Sequence, residues 1–202
     1  MQNSSEDLRV RRTRMALQKA MIELTVEKGF SSLTVGDICE RAMVNRATFY
    51  RHYQDKYDLL ERFMHAAYEL TYAGEQAPAP RGSAASGGEQ SASGLVKLLD
   101  HVREFAGFYR VILGPKGEPG FAHRVQEYIA QRLRSQLPEQ RAHDPRLLPL
   151  DLNLSYAAHA GIGVILWWVE HTEQYTPEQV ATWLNQLTAA SLSLSLRAAD
   201  PS

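Results

Sequence analysis

The chain has 202 residues, 44% apolar and 22% charged, with a net charge of −1; these values fit one or two globular domains with a sizeable core. A single cysteine excludes an intramolecular disulfide framework and fits a reducing cytoplasm. The N-terminus, MQNSSEDLRVRRTR, lacks a signal-peptide pattern, and the longest wholly apolar run, Ile162 to Val169, is too short to span a bilayer, so a cytoplasmic protein with no membrane partner is expected.

Charge is uneven along the chain. Residues 1–57 hold ten Lys and Arg against seven Asp and Glu, a local charge of +3, whereas the remainder holds 12 against 16, or −4. The positive excess sits where phosphate would be met. Arg9, Arg11, Arg12 and Arg14 form a basic arm before the first helix, open to two readings: contact with phosphate or the minor groove, or a solvated tail. The first helix is expected from about Arg11 to Lys28, buried through Leu17, Ala20, Met21 and Leu24 and stopped by Gly29.

The next segment is TVGDICERAMVNRATFYRHYQDKYDLL. Thr34 is a cap, with Asp37 in the capping-box place, and Val35, Ile38, Cys39 and Ala42 fall on one helical face. Met43 and Val44 fall in a turn. Asn45 caps a second short helix, Arg46 to Tyr53, whose Phe49 and Tyr53 are one turn apart and pack inward. Arg46, Thr48, Tyr50, Arg51 and His52 are left facing outward. Asp55 caps a helix beginning at Lys56. Two short helices about a tight turn, the second with a polar face, are the build of a helix-turn-helix that enters the DNA major groove.

The pattern T-V-x-x-I-x-x-x-A-x-V-x-R-x-T-F-Y-x-H-Y-x-x-K-x-x-L, from Thr34 to Leu59, resembles the DNA-binding domain of TetR/AcrR-type transcriptional regulators, over about Arg11 to Leu70. The resemblance implies an all-α homodimer on a palindromic operator. It places Thr34 on phosphate, Arg46, Ala47, Thr48, Tyr50 and His52 on the groove-facing surface, and Lys56 on phosphate at the start of the fourth helix. Arg51 is as readily a surface charge as a DNA contact.

The fourth helix carries Leu60, Phe63, Met64 and Ala67. Residues 74–94, GEQAPAPRGSAASGGEQSASG, have no bulky apolar side chain and read as a flexible linker. A helical stripe then starts at Leu95 and continues through Phe105, Tyr109 and Ile112 to Gly114. Further helices are expected around Phe121 to Ile129, from Asp151 to Glu173, and after the capping box Thr176-Pro177-Glu178-Gln179. The domain plan is thus 1–55 for the helix-turn-helix, 56–73 for a connecting helix, 74–94 for the linker and 95–202 for a helical regulatory and dimerisation domain.

The Ile162–Val169 run is apolar on every face, which calls for cover on all sides. With the last helix it suggests a two-fold four-helix interface between two copies, as in the family. His101, Phe105, Tyr109, Tyr128, Tyr156, His159, Trp167 and Trp168 lie on or beside apolar stripes and are candidates for a small-molecule cavity. His101 and His159 either form a polar pair there or are ordinary satisfied or exposed histidines. No nucleophile elbow, phosphate-binding glycine loop or metal-ligand spacing is present, so no enzyme, cofactor or metal is expected.

The family resemblance implies, as its default, a repressor released from its operator by a small molecule. The stretches FYRVILGPKGEPGF and GIGVILWWVEHTEQYTPEQVATWLNQL also resemble the subgroup containing the activator of dihydroxyacetone kinase operons. That resemblance implies the alternative, a regulator or activator answering to a protein partner without a small-molecule ligand.

Overall fold

The computed structural model describes residues 2–72, 86–114, 117–137 and 147–195, and among these it is all helical. Helix α1, Gln2–Lys28, is longer than its apolar stripe required. The basic cluster Arg9, Arg11, Arg12 and Arg14, expected as an arm, is instead inside this helix, because nothing between Gln2 and Arg11 breaks it. Gly29 ends it with φ 80°, its amide donating to the Thr25 carbonyl at 2.9 Å; a side chain would be strained there.

Helices α2, Val35–Arg41, and α3, Arg46–Tyr50, follow. The Val44 amide donates to the Cys39 carbonyl and the Met43 amide to the Glu40 carbonyl, a Schellman closure. Met43 occupies its left-handed position, at φ 53° and 93% exposed. Leu17, Met21, Phe30, Ile38 and Phe49 are fully buried together, and Cys39 and Tyr53 nearly so. Each large apolar side chain so placed contributes about 1.5–3 kcal/mol.

Helix α4, Lys56–Tyr72, leads from this small core into α5, Ser86–Glu104. Helix α5 begins within the stretch assigned by composition to the linker, so residues 86–94 are helical; residues 74–85 of that linker lie outside the described residues. The single stripe from Leu95 to Ile112 is broken at Phe105, φ −111° and ψ 32°, which separates α5 from α6, Ala106–Ile112. The break sets both Phe105 and Phe108 edge-on to Phe63, at 5.6 and 5.4 Å between centroids. Helix α6 also packs on α1.

Helices α7, Pro119–Ser135, α8, Leu150–Val169, and α9, Pro177–Ser193, complete the second domain. Residues 138–146, between α7 and α8, lie outside the described residues. Helix α8 stops at Val169 rather than Glu173, because Trp168 Nε1 donates to the Tyr175 carbonyl at 2.8 Å and folds the chain back. By length and composition alone α8 is long and apolar enough to cross a membrane, beyond what the eight-residue run suggested, a test that a core helix also passes. One face of it is buried against the protein and carries Asn153, which is itself buried and holds Ser191 and Ser195 near the end of α9. The capping box at Thr176 forms as expected, and the segment through Ser193 is helical.

Candidate nucleic-acid interface

Local chemistry sets the two short helices. The Thr34 amide donates to Asp37 Oδ2 at 2.8 Å, and the Asp37 amide donates back to Thr34 Oγ1 at 3.1 Å. Lys28 reaches the same carboxylate at 3.0 Å. The hydrogen bonds from Thr34, and then Lys28, hold the Asp37 pKa down at about 2. Asn45 Oδ1 accepts from the Ala47 amide at 2.8 Å, and Asp55 Oδ1 from the Tyr57 and Asp58 amides.

These caps aim the exposed face of α3. Arg46, Ala47, Tyr50 and Arg51 are exposed, while Thr48 and His52 are half-buried. Tyr50 is 58% exposed, standing edge-on to the buried Phe49 at 5.5 Å. Arg51 Nη2 lies 3.4 Å from Thr48 Oγ1. Burial, and then the charges of Arg14, Arg51 and Arg62, lower the His52 pKa. Arg14 therefore borders this surface from α1 and Arg62 from α4, neighbours that the motif alone did not reveal.

The Arg46 guanidinium lies over the first turn of α2. A Cβ on Gly36 would come within 2.4 Å of Arg46 Nη2 and 3.4 Å of Thr34 Oγ1, so Gly36 gives that arginine its resting place. Thr34 and Arg46 are thus brought together although 12 positions apart. Nothing in the local pattern singled out Gly36, whose role depends on the crossing of two helices.

Lys56 is placed differently from the expectation. Its ammonium points inward and donates to the carbonyls of Phe30, Ser31 and Leu33, at 3.0, 3.0 and 2.9 Å. It also sits 4.9 Å from the Phe30 ring centroid and 5.2 Å from that of Tyr57. An ammonium has three donors, and all three are used on the loop between α1 and α2. Burial lowers its pKa, opposed by Glu118 and Asp55. Arg41 is likewise committed, to Glu27 at 2.7 Å and Glu23 at 3.3 Å.

Helices α4 to α9 line a partly open cavity of about 200 Å³. Of the eight candidate side chains, Tyr109 and Tyr128 line it. Tyr128 stacks on Tyr68 with 4.3 Å between centroids. The other six do not. His101 and Phe105 pack beside Phe63 at the top of α5, with His101 5.9 Å from the Tyr109 ring and its pKa lowered by burial. Tyr156 and His159 face outward on α8, the latter donating from Nδ1 to the Ser155 carbonyl, so the two histidines form no polar pair. Trp167 is 42% exposed and stacks on His171 and Tyr175, whereas Trp168 is wholly buried in the monomer's own core. The reason is helical rotation: neighbours in sequence lie about 100° apart on α8, so Trp167 and Trp168 cannot share an environment.

Residues 18–63 match the family model described as bacterial regulatory proteins of the tetR family, and residues 89–189 match one described as a transcriptional regulator C-terminal region. The uncharacterised HTH-type transcriptional regulator YxbF of Bacillus subtilis (strain 168) is 46% identical over 56 residues, 27% of this chain and only 15% of that relative's length. A TetR transcriptional regulator from Streptococcus agalactiae 2603V has the same fold over 92% of this chain and 98% of its own, with a TM-score of 0.59 and 22% identity. The dihydroxyacetone kinase operon activator DhaS aligns over 92% and 98%, with a TM-score of 0.56 and 18% identity. The C-terminal match covers half of the chain and the N-terminal match covers the helix-turn-helix, and the chain accordingly belongs to the TetR family of bacterial transcriptional regulators, DNA-binding proteins rather than enzymes.

Proposed function

We propose that this regulator is a homodimeric repressor that sits on a palindromic operator and leaves it when a small molecule fills the cavity of the second domain. The observation that carries this reading is the position of α6. On one side Gly107 meets Val26 of α1, with 3.5 Å between a glycine Cβ position and the valine methyl. On the other side Tyr109 and Leu113 line the cavity. A molecule that displaces α6 therefore pushes on α1, which forms the core beneath α2 and α3.

The dimer reading is supported by an apolar face of α8 and α9 that the other described residues leave uncovered. Leu152, Tyr156, Trp167, Leu187 and Leu194 are all exposed there. Clustered large apolar side chains of this kind mark an interaction surface, and a second copy brings the two α3 helices into a two-fold relation that suits a palindrome.

The test is binding to the DNA flanking the protein's own gene, at two salt concentrations, with a random duplex as control. Two subunits, or a multiple of two, on a short palindrome are expected, with much weaker and more salt-dependent binding to the control. Weak binding to both duplexes at the same level would overturn the operator reading.

A further inference from the structure

We propose that the cavity receives a small, uncharged, largely apolar molecule of one or two rings that carries one hydrogen-bond-accepting oxygen, and that the Tyr109 hydroxyl donates to that oxygen. The proposal rests on the reading of this cavity as the effector site and adds the chemistry of its occupant.

Tyr109 is 2% exposed, and its hydroxyl has no hydrogen-bond partner among the described residues. It nevertheless lines the cavity. Buried hydroxyls are paired as a rule, so one left without a partner on a residue that lines a cavity marks where a partner arrives. Burial raises the phenol pKa strongly, which keeps the proton on the oxygen and makes it a donor.

The rest of the lining sets the ligand's body. Met64, Val102, Val125 and Ile162 are buried apolar walls around the same space. An apolar cavity of about 150 Å³ holds benzene, so 200 Å³ suits a slightly larger molecule.

The polar lining residues Arg132, Gln136, Asn185 and Thr188 all retain some exposure. The groups nearest the Tyr109 ring are His101 on α5, whose pKa burial lowers, Phe108 on α6 and Tyr68 on α4. None of these offers a counter-charge, so an ionised group brought to the hydroxyl would be buried unpaired.

The experiment compares three probes of similar size by calorimetry: acetophenone, cumene and benzoate. Cumene replaces the carbonyl oxygen by a methyl group, and benzoate carries a charge. The full chain is used as wild type and as Tyr109→Phe, with circular dichroism confirming that both fold. The wild type is expected to prefer acetophenone over cumene, and Tyr109→Phe to reduce that preference by about tenfold while cumene binding holds, the worth of one neutral hydrogen bond. An unchanged preference in Tyr109→Phe, tighter binding of benzoate, or no binding of either neutral ring would overturn the proposal. Operator binding read in parallel separates the two ideas. Tyr109-dependent ketone binding that leaves operator affinity untouched supports the cavity chemistry and sinks its role as an effector switch.

Discussion

The Lys56 ammonium lies 2.9 Å from the Leu33 carbonyl oxygen, and the same group holds the carbonyls of Phe30 and Ser31. This one side chain ties the start of α4 to the loop that leads into α2. A loop held in this way sets the height at which Thr34 and the first turn of α2 stand relative to the α3 face.

Replacing Lys56 by Ala should therefore act first on stability. Hydrogen bonds to a charged donor are worth about 1.5–3 kcal/mol, and a loss of about 2 kcal/mol in a chain of this size lowers Tm by about 5 °C. Thermal melting with a DNA titration over several salt concentrations checks this. The slope of log K against log salt should stay unchanged. A slope that falls by about one phosphate's worth at constant Tm would make Lys56 a DNA ligand instead.

Tyr50 is exposed on α3, and Thr48 is half-buried beside it. Tyr50→Ala and Thr48→Ala are expected to weaken operator binding by about tenfold and random-duplex binding by much less, because base-edge contacts are sequence-dependent and phosphate contacts are not. Equal losses on both duplexes would remove these two residues from the groove-facing set.

Met43 adopts φ 53° with its side chain almost entirely in water. A non-glycine residue in the left-handed region is strained, by about 1–2 kcal/mol. Met43→Gly should relieve most of this, less the extra entropy of glycine in the unfolded chain, for a net gain of about 1 kcal/mol. Chemical denaturation reads the difference; a lower midpoint would show that the side chain has contacts that outweigh the strain.

Trp167 and Trp168 should part company under mutation. Trp168→Ala removes a fully buried ring and is expected to cost about 3–5 kcal/mol, seen as loss of a cooperative melt. Trp167→Glu and Leu187→Glu place charge on the exposed face of α8 and α9 and should give a folded, helical monomer in analytical ultracentrifugation. A dimer that survives both charged replacements would rule out this face as the interface.

The features legible from the sequence are those decided by residues within about four positions of one another. Thr34, Asn45 and Thr176 cap as expected, Gly29 stops α1, and Phe49 and Tyr53 turn inward, because a cap or a helical stripe is a local matter of hydrogen-bond geometry and period. Tertiary structure decided what depends on distant partners. Lys56 met three carbonyls 23 to 26 positions upstream, and Arg46 settled over Gly36. The Leu95–Ile112 stripe broke at Phe105 so that two rings reach Phe63. Of eight aromatic and histidine candidates only Tyr109 and Tyr128 reached the cavity. An apolar face states that it must be covered, and a cation that it must be paired, but the choice of partner belongs to the packing of helices far apart in the chain.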